Sequence, residues 1–179
     1  MLELNFEPFP VLETDRLVLR SISMDDAEDI FQLRTNEEAM KYINKPKLKS
    51  IDEVRELIKK MSDISMRIQW AITLKKEDRL IGTIGYHIIE KEHYRAEIGY
   101  MIHPQYWNSG LMTEALTKVI DYGFNDMKLH SIEAIINPDN EISRKILKKF
   151  KFIKEGYYKE NYFFEGIFLD SEVYSLLKN

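Results

Sequence analysis

The sequence has no cysteine among its 179 residues. Disulfide bonds, thiolate metal sites and a cysteine nucleophile are therefore excluded. The four histidines show no paired spacing typical of metal ligands, so no metal is expected. No apolar run approaches the roughly 20 residues that a membrane-spanning helix needs. A disulfide scaffold, a metal-centred enzyme and a membrane protein are thus disfavoured from the start.

The sequence also lacks a strong excess of one charge, with a formal net charge of −4. This balance argues against a general nucleic-acid binder. The first ten residues contain Glu3 and Glu7 and lack the basic start of a secretion signal. We therefore expect a cytoplasmic protein with no nucleic-acid or membrane partner.

What is present is the composition of a folded globular chain, with 44% hydrophobic and 31% charged residues. The length suits one domain, and the sequence shows no internal repeat, linker or low-complexity segment. We expect a single domain over residues 1–179, with its core at about residues 12–177.

One stretch, residues 96–116, combines a strand, a turn and a helix. Alternating apolar residues predict a strand that ends before Pro104, and Asn108-Ser109-Gly110 has the composition of a turn. Paired apolar residues every four positions from Leu111 then predict an amphipathic helix. Such a turn leaves backbone N–H groups free to hold a phosphate, although by itself it is more typical of a plain connector.

In the rest of the chain, the spacing of the apolar residues predicts strands in some segments and helices in others. A capping box at Ser50 and Glu53 begins a helix whose apolar face includes Val54 and Ile64. The helix at 111–125 lies between two strands, which predicts a right-handed parallel crossover. Predicted strands cover residues 16–22, 68–74, 80–90, 96–103 and 131–137 and two segments of 152–177; predicted helices cover 24–34, 36–43, 50–64, 111–125 and 140–150.

Residues 106–115, Tyr-Trp-Asn-Ser-Gly-Leu-Met-Thr-Glu-Ala, resemble the acyl-CoA-binding motif of the GNAT superfamily of N-acetyltransferases. Trp107 stands where Arg or Gln is usual, Gly110 is the retained glycine, and Met112 replaces a Gly or Ala. Residues 14–20, 79–85 and 140–152 are similar to further motifs of the ribosomal-protein N-terminal acetyltransferase branch, with Lys151 in place of a glycine.

The resemblance implies a GNAT fold of mixed α/β class. We expect a central twisted mixed sheet of six to seven strands, flanked by about four helices, with splayed parallel strands at the cofactor cleft.

The resemblance also implies acetyl transfer from acetyl-CoA, as cosubstrate and without a metal, to a primary amine by direct attack in a ternary complex. The leading acceptor is a protein N-terminal amine, such as that of a ribosomal protein. A small amine (a polyamine, an amino acid or an aminoglycoside) is the alternative. A non-catalytic acyl-CoA-binding regulatory module is the alternative of another class. The protein is expected to be a monomer or a homodimer.

Two residues are candidates for catalysis by resemblance. Glu97 lies on the central strand as a candidate general base; the alternative is an edge-facing carboxylate paired with Arg95 or Tyr94. Ser143 is expected to contact the pantetheine or the sulfur of the cofactor. The alternative is that it only forms a hydrogen bond at the end of its helix. Leu147 occupies the position of the usual tyrosine acid, so Ser143 or water must protonate the leaving group.

The resemblance assigns the cofactor contacts to three segments. The strand backbone contributes Tyr100, Met101 and Ile102. The loop and helix start contribute Trp107, Asn108, Ser109, Gly110, Leu111, Met112 and Thr113. The following strand end and helix contribute Asn137, Asn140, Ser143 and Arg144, with Lys148 as a further cation. Aromatic residues that could line the acceptor pocket, although each is more often part of a core, are Tyr42, Trp70, Tyr86, Tyr94 and Tyr106.

Overall fold

The computed structural model describes residues 1–61 and 67–178, with the side chain of residue 61 left out. Ile64, which the helical pattern included, lies outside these residues. The strands are β1 (Leu12–Glu13), β2 (Leu17–Ser21), β3 (Ile68–Leu74), β4 (Glu77–Glu90), β5 (Arg95–Ile102), β6 (Ser131–Ile136), β7 (Ile153–Phe164) and β8 (Ile167–Leu177). The helices are α1 (Ala27–Thr35), α2 (Glu37–Met40), α3 (Ile51–Met61), α4 (Leu111–Asn125) and α5 (Glu141–Lys149).

The strands form one mixed sheet in the order β1-β2-β3-β4-β5-β6-β8-β7. The neighbours β5 and β6 are parallel and are joined by α4, as the strand–helix–strand pattern predicts. The other neighbouring pairs are antiparallel. The mixed α/β class and the single twisted sheet are therefore confirmed.

The sheet has one strand more than the expected six to seven. The additional strand is β1, whose two residues pair with β2 in the register Leu12↔Leu19. A two-residue strand is too short to show an alternating pattern, which is why the sequence did not reveal it. The strand predicted over residues 80–90 also begins earlier than expected: β4 already begins at Glu77, because an exposed strand end accommodates polar residues.

Two hydrophobic clusters pack on the sheet. The larger one contains the buried face of α4, including Leu116 and Val119, both fully buried. Burial of each such side chain stabilises the fold by about 1.5–3 kcal/mol. Leu2 and Phe6 also pack into this cluster, so the core extends before the expected start near residue 12. The smaller cluster joins α1 and α3 to the sheet through residues such as Ile30 and Val54.

Gly85 in β4 marks a close approach of two backbones. A glycine inside a strand often marks either such an approach or a bulge. A Cβ built at this position would lie 2.2 Å from the carbonyl oxygen of Ile68 and 2.6 Å from the Cα of Gln69 on the neighbouring strand. These are backbone atoms, so the contact cannot be relieved by a change of rotamer. The paired strands β3 and β4 can approach in this way only without a side chain at residue 85.

The substitution Gly85→Ala should lower the free energy of unfolding by about 3 kcal/mol, because the sheet must open to admit the methyl group. Urea unfolding measures this change. Gly156→Ala is the matched control, since a Cβ there meets its nearest atom at 3.9 Å, an ordinary contact. Equal stability of the Gly85 variant and the control would contradict the proposed clash.

Candidate active site

The candidate site begins where β5 and β6 separate. The two strands pair over Arg95↔Ser131, Ala96↔Ile132 and Glu97↔Glu133. Beyond these pairs β5 continues to Ile102 and β6 to Ile136, and no further pairing joins them in the part of the chain that the structure describes. This is the predicted splay of two parallel strands.

The open edge of β5 exposes alternate residues. The N–H of His103 donates to the carbonyl of Ile81 on the β4 side, at 2.9 Å. Because backbone groups alternate along a strand, those of Tyr100 and Ile102 face the gap and those of Met101 face β4. Only two of the three predicted strand residues thus present their backbone to a ligand, while the Met101 side chain lines the cleft.

A cleft of about 820 Å³ occupies the gap. Its walls are the end of β5, the loop before α4, the first turn of α5, and α2 with the residues that follow it. The predicted cofactor residues that the structure brings together on these walls are Tyr100, Met101, Ile102, Trp107, Asn108, Gly110, Met112, Thr113, Asn140 and Ser143.

The loop before α4 presents bare amides. Asn108 and Gly110 both adopt left-handed backbone conformations, with φ of 57° and 79°. The first backbone N–H of α4 that forms a hydrogen bond is that of Glu114, which donates to the carbonyl of Gly110 at 3.1 Å. The six amides of residues 108–113 donate to no acceptor in the described ranges 1–61 and 67–178. Successive free N–H groups at a helix start form a concave anion site.

An ion pair holds this loop in place. The carboxylate of Glu114 accepts hydrogen bonds from the Thr14 hydroxyl, from the Arg16 amide at 2.8 Å and from Arg16 Nε at 2.7 Å. Arg16 also donates to the carbonyl of Ser109 at 3.0 Å. Burial alone would raise the pKa of Glu114, but the bonds from Thr14 and Arg16 outweigh it and lower the pKa. The turn before β2 therefore fixes both the loop and the first turn of α4.

Trp107 has a structural partner that the sequence did not reveal. Its indole Nε1 donates to the carbonyl of Ile102 at 3.0 Å. The side chain at the usual Arg or Gln position therefore ties the loop back to the end of β5, and it occupies one acceptor on the open strand edge.

Glu97 lies at the last paired position before the strands separate. Its side chain forms no hydrogen bond or ion pair with the residues that the structure describes, whereas Arg95 bonds Glu90 at 2.8 Å. The alternative pairing of Glu97 with Arg95 or Tyr94 is thus not seen. Burial, and then the charge of Glu133 opposite, raise the pKa of Glu97, and Lys45 opposes them. A carboxylate with a raised pKa is a better proton acceptor than an ordinary one.

His87 is a nearby residue that the sequence gave no reason to select. It lies at a bulge of β4 between the pairs Tyr86↔Ile98 and Ile88↔Glu97. Its imidazole fills the space above Gly99, where a Cβ would come within 2.2 Å of Nε2. Burial, followed by the charges of Lys45 and Arg67, lowers the pKa of His87. Part of the residue's surface stays in contact with water, which offsets part of this effect, but the imidazole is neutral near pH 7.

The first turn of α5 faces the cleft. Asn140 caps the helix, because its Oδ1 accepts from the amide of Ser143 at 3.0 Å. Ser143 lines the cleft beside Tyr100. Leu147, one turn further on, is buried in the core and presents no polar group.

Three predicted residues have side chains that are engaged elsewhere, although the amides of Ser109 and Leu111 are among the free ones. Ser109 donates from its hydroxyl to the carbonyl of Tyr106, Leu111 is buried in the core, and Asn137 Oδ1 accepts from the amide of Asp139 at 2.8 Å. Among the aromatic candidates, Tyr42 and Tyr106 line the cleft, Trp70 and Tyr86 are fully buried, and Tyr94 is exposed.

Arg144 points to β8 instead of the cleft. Its Nε donates to Glu172 at 3.1 Å, and its other nitrogens bond Glu141 and the carbonyl of Pro138. Glu172 is buried and also accepts from Lys154 at 2.7 Å and from Tyr174 at 2.9 Å. The cation that lines the cleft on this helix is its neighbour, Lys145.

The described ranges contain no group of three or more His, Asp or Glu residues arranged to hold a metal ion. Within the same ranges, none of the helices has the length and apolar character needed to cross a membrane.

The chain matches the acetyltransferase (GNAT) domain family over residues 16–153. It is 39% identical over 173 residues to the uncharacterized N-acetyltransferase YoaA of Bacillus subtilis (strain 168), covering 95% of this chain and 98% of that protein. Over 99 residues it is 32% identical to YdaF of the same strain, described as a candidate ribosomal N-acetyltransferase. The match covers 55% of this chain and 54% of YdaF. Over 149 residues it is 28% identical to the spermidine N(1)-acetyltransferase of Escherichia coli (strain K12), with 83% and 78% covered.

Among solved structures, the fold is similar to that of RimL, a ribosomal alpha-N-protein acetyltransferase, in complex with coenzyme A. The TM-score is 0.85 at 18% identity, covering 94% of this chain and 98% of RimL. A likeness at this identity concerns the fold alone.

The substitution Arg144→Ala should lower the melting temperature by several degrees, because it leaves the buried Glu172 with fewer partners. The dissociation constant for coenzyme A, measured by calorimetry, should change by no more than about threefold. This corresponds to a smaller free energy than one typical hydrogen bond contributes.

Lys145→Ala is the matched control one residue away. It should weaken coenzyme A binding more than Arg144→Ala does, and it should leave the melting temperature unchanged. The opposite ranking of the two variants would return Arg144 to the cofactor contacts that the resemblance implies.

Proposed function

This chain belongs to the GNAT acetyltransferase family and is an acetyl-CoA-dependent N-acetyltransferase, and from this premise we propose that its acceptor is the α-amine at a protein N-terminus. The observation that carries the proposal is the position of Glu97. This carboxylate has a raised pKa and no partner among the described residues, and it stands where the strands part to form the cleft.

The cleft has the features that a coenzyme A molecule requires. The six bare amides of residues 108–113 suit the diphosphate, and the open edge of β5 suits the amide-bearing arm. When bound, acetyl-CoA supplies an activated acetyl thioester. The loop and β5 would orient it so that the acceptor approaches from the side of Glu97.

Glu97 would then act on the acceptor amine. An ammonium group has no lone pair, so a proton must leave before the nitrogen can attack. An α-amine with a pKa near 8 is about a tenth neutral at pH 7, whereas a lysine amine with a pKa near 10.4 is neutral at about 0.04%. A single carboxylate, acting directly or through water, is sufficient for the former and a poor match for the latter.

Transfer would proceed by direct attack. The chain has no cysteine, and we assign no serine to the role of acyl acceptor. The amine and the thioester must therefore be bound together, with the cleft holding the thioester and the face of the sheet at Glu97 receiving the amine. Lys45 and Arg67, which act electrostatically on His87, place positive charge near this face, which suits an acceptor that carries a single amine.

A polyamine is the second candidate acceptor. Glu97 and Glu133 face each other across the paired ends of β5 and β6, and two carboxylates would attract a polycation. The similarity to a spermidine acetyltransferase, at 28% identity, is consistent with this alternative.

An acceptor panel distinguishes the two candidates. We expect a peptide with a free N-terminal serine and no lysine to give a kcat/KM at least about 100-fold above that of the same peptide with a blocked N-terminus and one internal lysine. Spermidine should fall below the free peptide. Release of the coenzyme A thiol is the measured signal. A higher kcat/KM for spermidine would favour the polyamine acceptor, and turnover of the blocked peptide alone would point to lysine.

The substitution Glu97→Gln should reduce kcat with the preferred acceptor by about 100-fold, as expected for loss of a general base. In the wild type, kcat/KM should fall as the pH drops through the raised pKa of Glu97, and this limb should be absent from the variant. Unchanged turnover across the pH range would exclude the role.

The same variant should be at least as stable as the wild type at pH 7. Because the folded-state pKa of Glu97 is raised, its contribution to stability is fully present below the ordinary glutamate pKa of about 4.3 and is lost as the pH rises through the folded-state value. Glutamine avoids that loss. The stability difference should therefore disappear in acid, which thermal unfolding at two pH values can measure.

A further inference from the structure

The side chain of Tyr100 is a buried phenol that the proposed chemistry does not use. Its ring lines the cleft, but its hydroxyl oxygen is sealed from water and makes no hydrogen bond of ordinary geometry to any residue in the described ranges. Ser143 is the side chain close enough to act on it: burial raises the pKa of Tyr100 to about 12, and the Ser143 hydroxyl opposes this rise. A buried hydroxyl without a partner is costly and calls for an explanation.

The position on α5 where the resemblance implies a tyrosine is occupied by Leu147. Leu147 lies one turn after Ser143 on α5, is 1% exposed and packs in the core. The phenol beside Ser143 therefore comes from another element, the central strand β5. Ser143 itself is held by the bond from its amide to Asn140, and its side chain borders the cleft.

We propose that Tyr100 is a positioning residue for Ser143, donating its phenol hydrogen to Ser143 Oγ so that the Ser143 hydrogen points into the cleft, at the sulfur of coenzyme A. The phenol would then have its missing partner, and Ser143 would be a stronger donor, because hydrogen bonds in a chain polarise one another.

This role rests on the proposed function, and it concerns the leaving group only. When the carbon–sulfur bond breaks, its electron pair stays on sulfur, and the thiolate receives a hydrogen bond from Ser143. No covalent bond of Tyr100 or Ser143 breaks. The thiolate later takes a proton from water in the cleft, and the proton lost by the amine leaves through Glu97.

The test is the pKa of the thiol of coenzyme A bound to the full-length protein, followed by the ultraviolet absorbance of the thiolate. Ser143→Ala should raise that pKa by about one unit, the effect of losing one hydrogen bond to a charged group. Tyr100→Phe should raise it by about half as much, and the double variant should match Ser143→Ala alone. Charges near the cleft, such as those of Lys145 and Glu141, are common to all variants and cancel.

Tyr86→Phe is the matched control. Its hydroxyl is also buried but has a partner, the carbonyl of Val119 at 2.9 Å. This variant should lower the melting temperature and leave the thiol pKa unchanged. Tyr100→Phe should lower kcat and leave the KM for acetyl-CoA unchanged.

Two outcomes would overturn the role: an unchanged thiol pKa in Tyr100→Phe, or a double variant whose shift is the sum of the two single shifts. Ser143→Ala probes the same pair from its partly exposed side, so the test does not depend on a core substitution being tolerated. The thiol titration requires no acceptor amine. A wrong acceptor therefore fails in the acceptor panel, and a wrong role for Tyr100 fails in the titration.

Discussion

The separation of β5 from β6 after three residue pairs is the constraint on which the site depends. A sheet normally satisfies its backbone groups by pairing. Here β5 keeps an unpaired edge from residue 98 onward, and that edge borders a cleft instead of a neighbouring strand. The free amides before α4 stand at one end of this edge and Glu97 at the other. This single break in pairing thus accounts for both the proposed cosubstrate cleft and the proposed position of the general base.

The break is stable because other contacts hold its two sides. On one side, Glu114 joins the turn before β2 to the first turn of α4, so that the loop keeps its amides turned outward. On the other side, Arg144 joins α5 to β8 through the buried Glu172. These polar contacts tie each wall to the sheet, and the larger hydrophobic cluster fixes α4 and α5, the helices that carry them.

The sequence was most informative where structure is local. The turn at residues 108–110 and the apolar stripe of α4 are readable from adjacent residues, and both are present. Contacts between distant segments could not be read in this way. The pairing of Arg144 with Glu172 joins residues 28 apart, and the placement of His87 above Gly99 depends on a bulge in β4. For the same reason the nearness of Tyr100 to Ser143 becomes visible only in the folded chain.

The bond from the Trp107 indole to the Ile102 carbonyl has a consequence for the length of what the cleft can hold. With that carbonyl occupied, an amide-bearing chain lying along the open edge of β5 finds its next free acceptor at Tyr100. The spacing between this point and the amides of residues 108–113 is set by the rigid strand and loop. In the proposed complex these fixed positions would select the length of the cosubstrate's arm, because an arm shorter or longer by a few bonds would leave its reactive end away from Glu97.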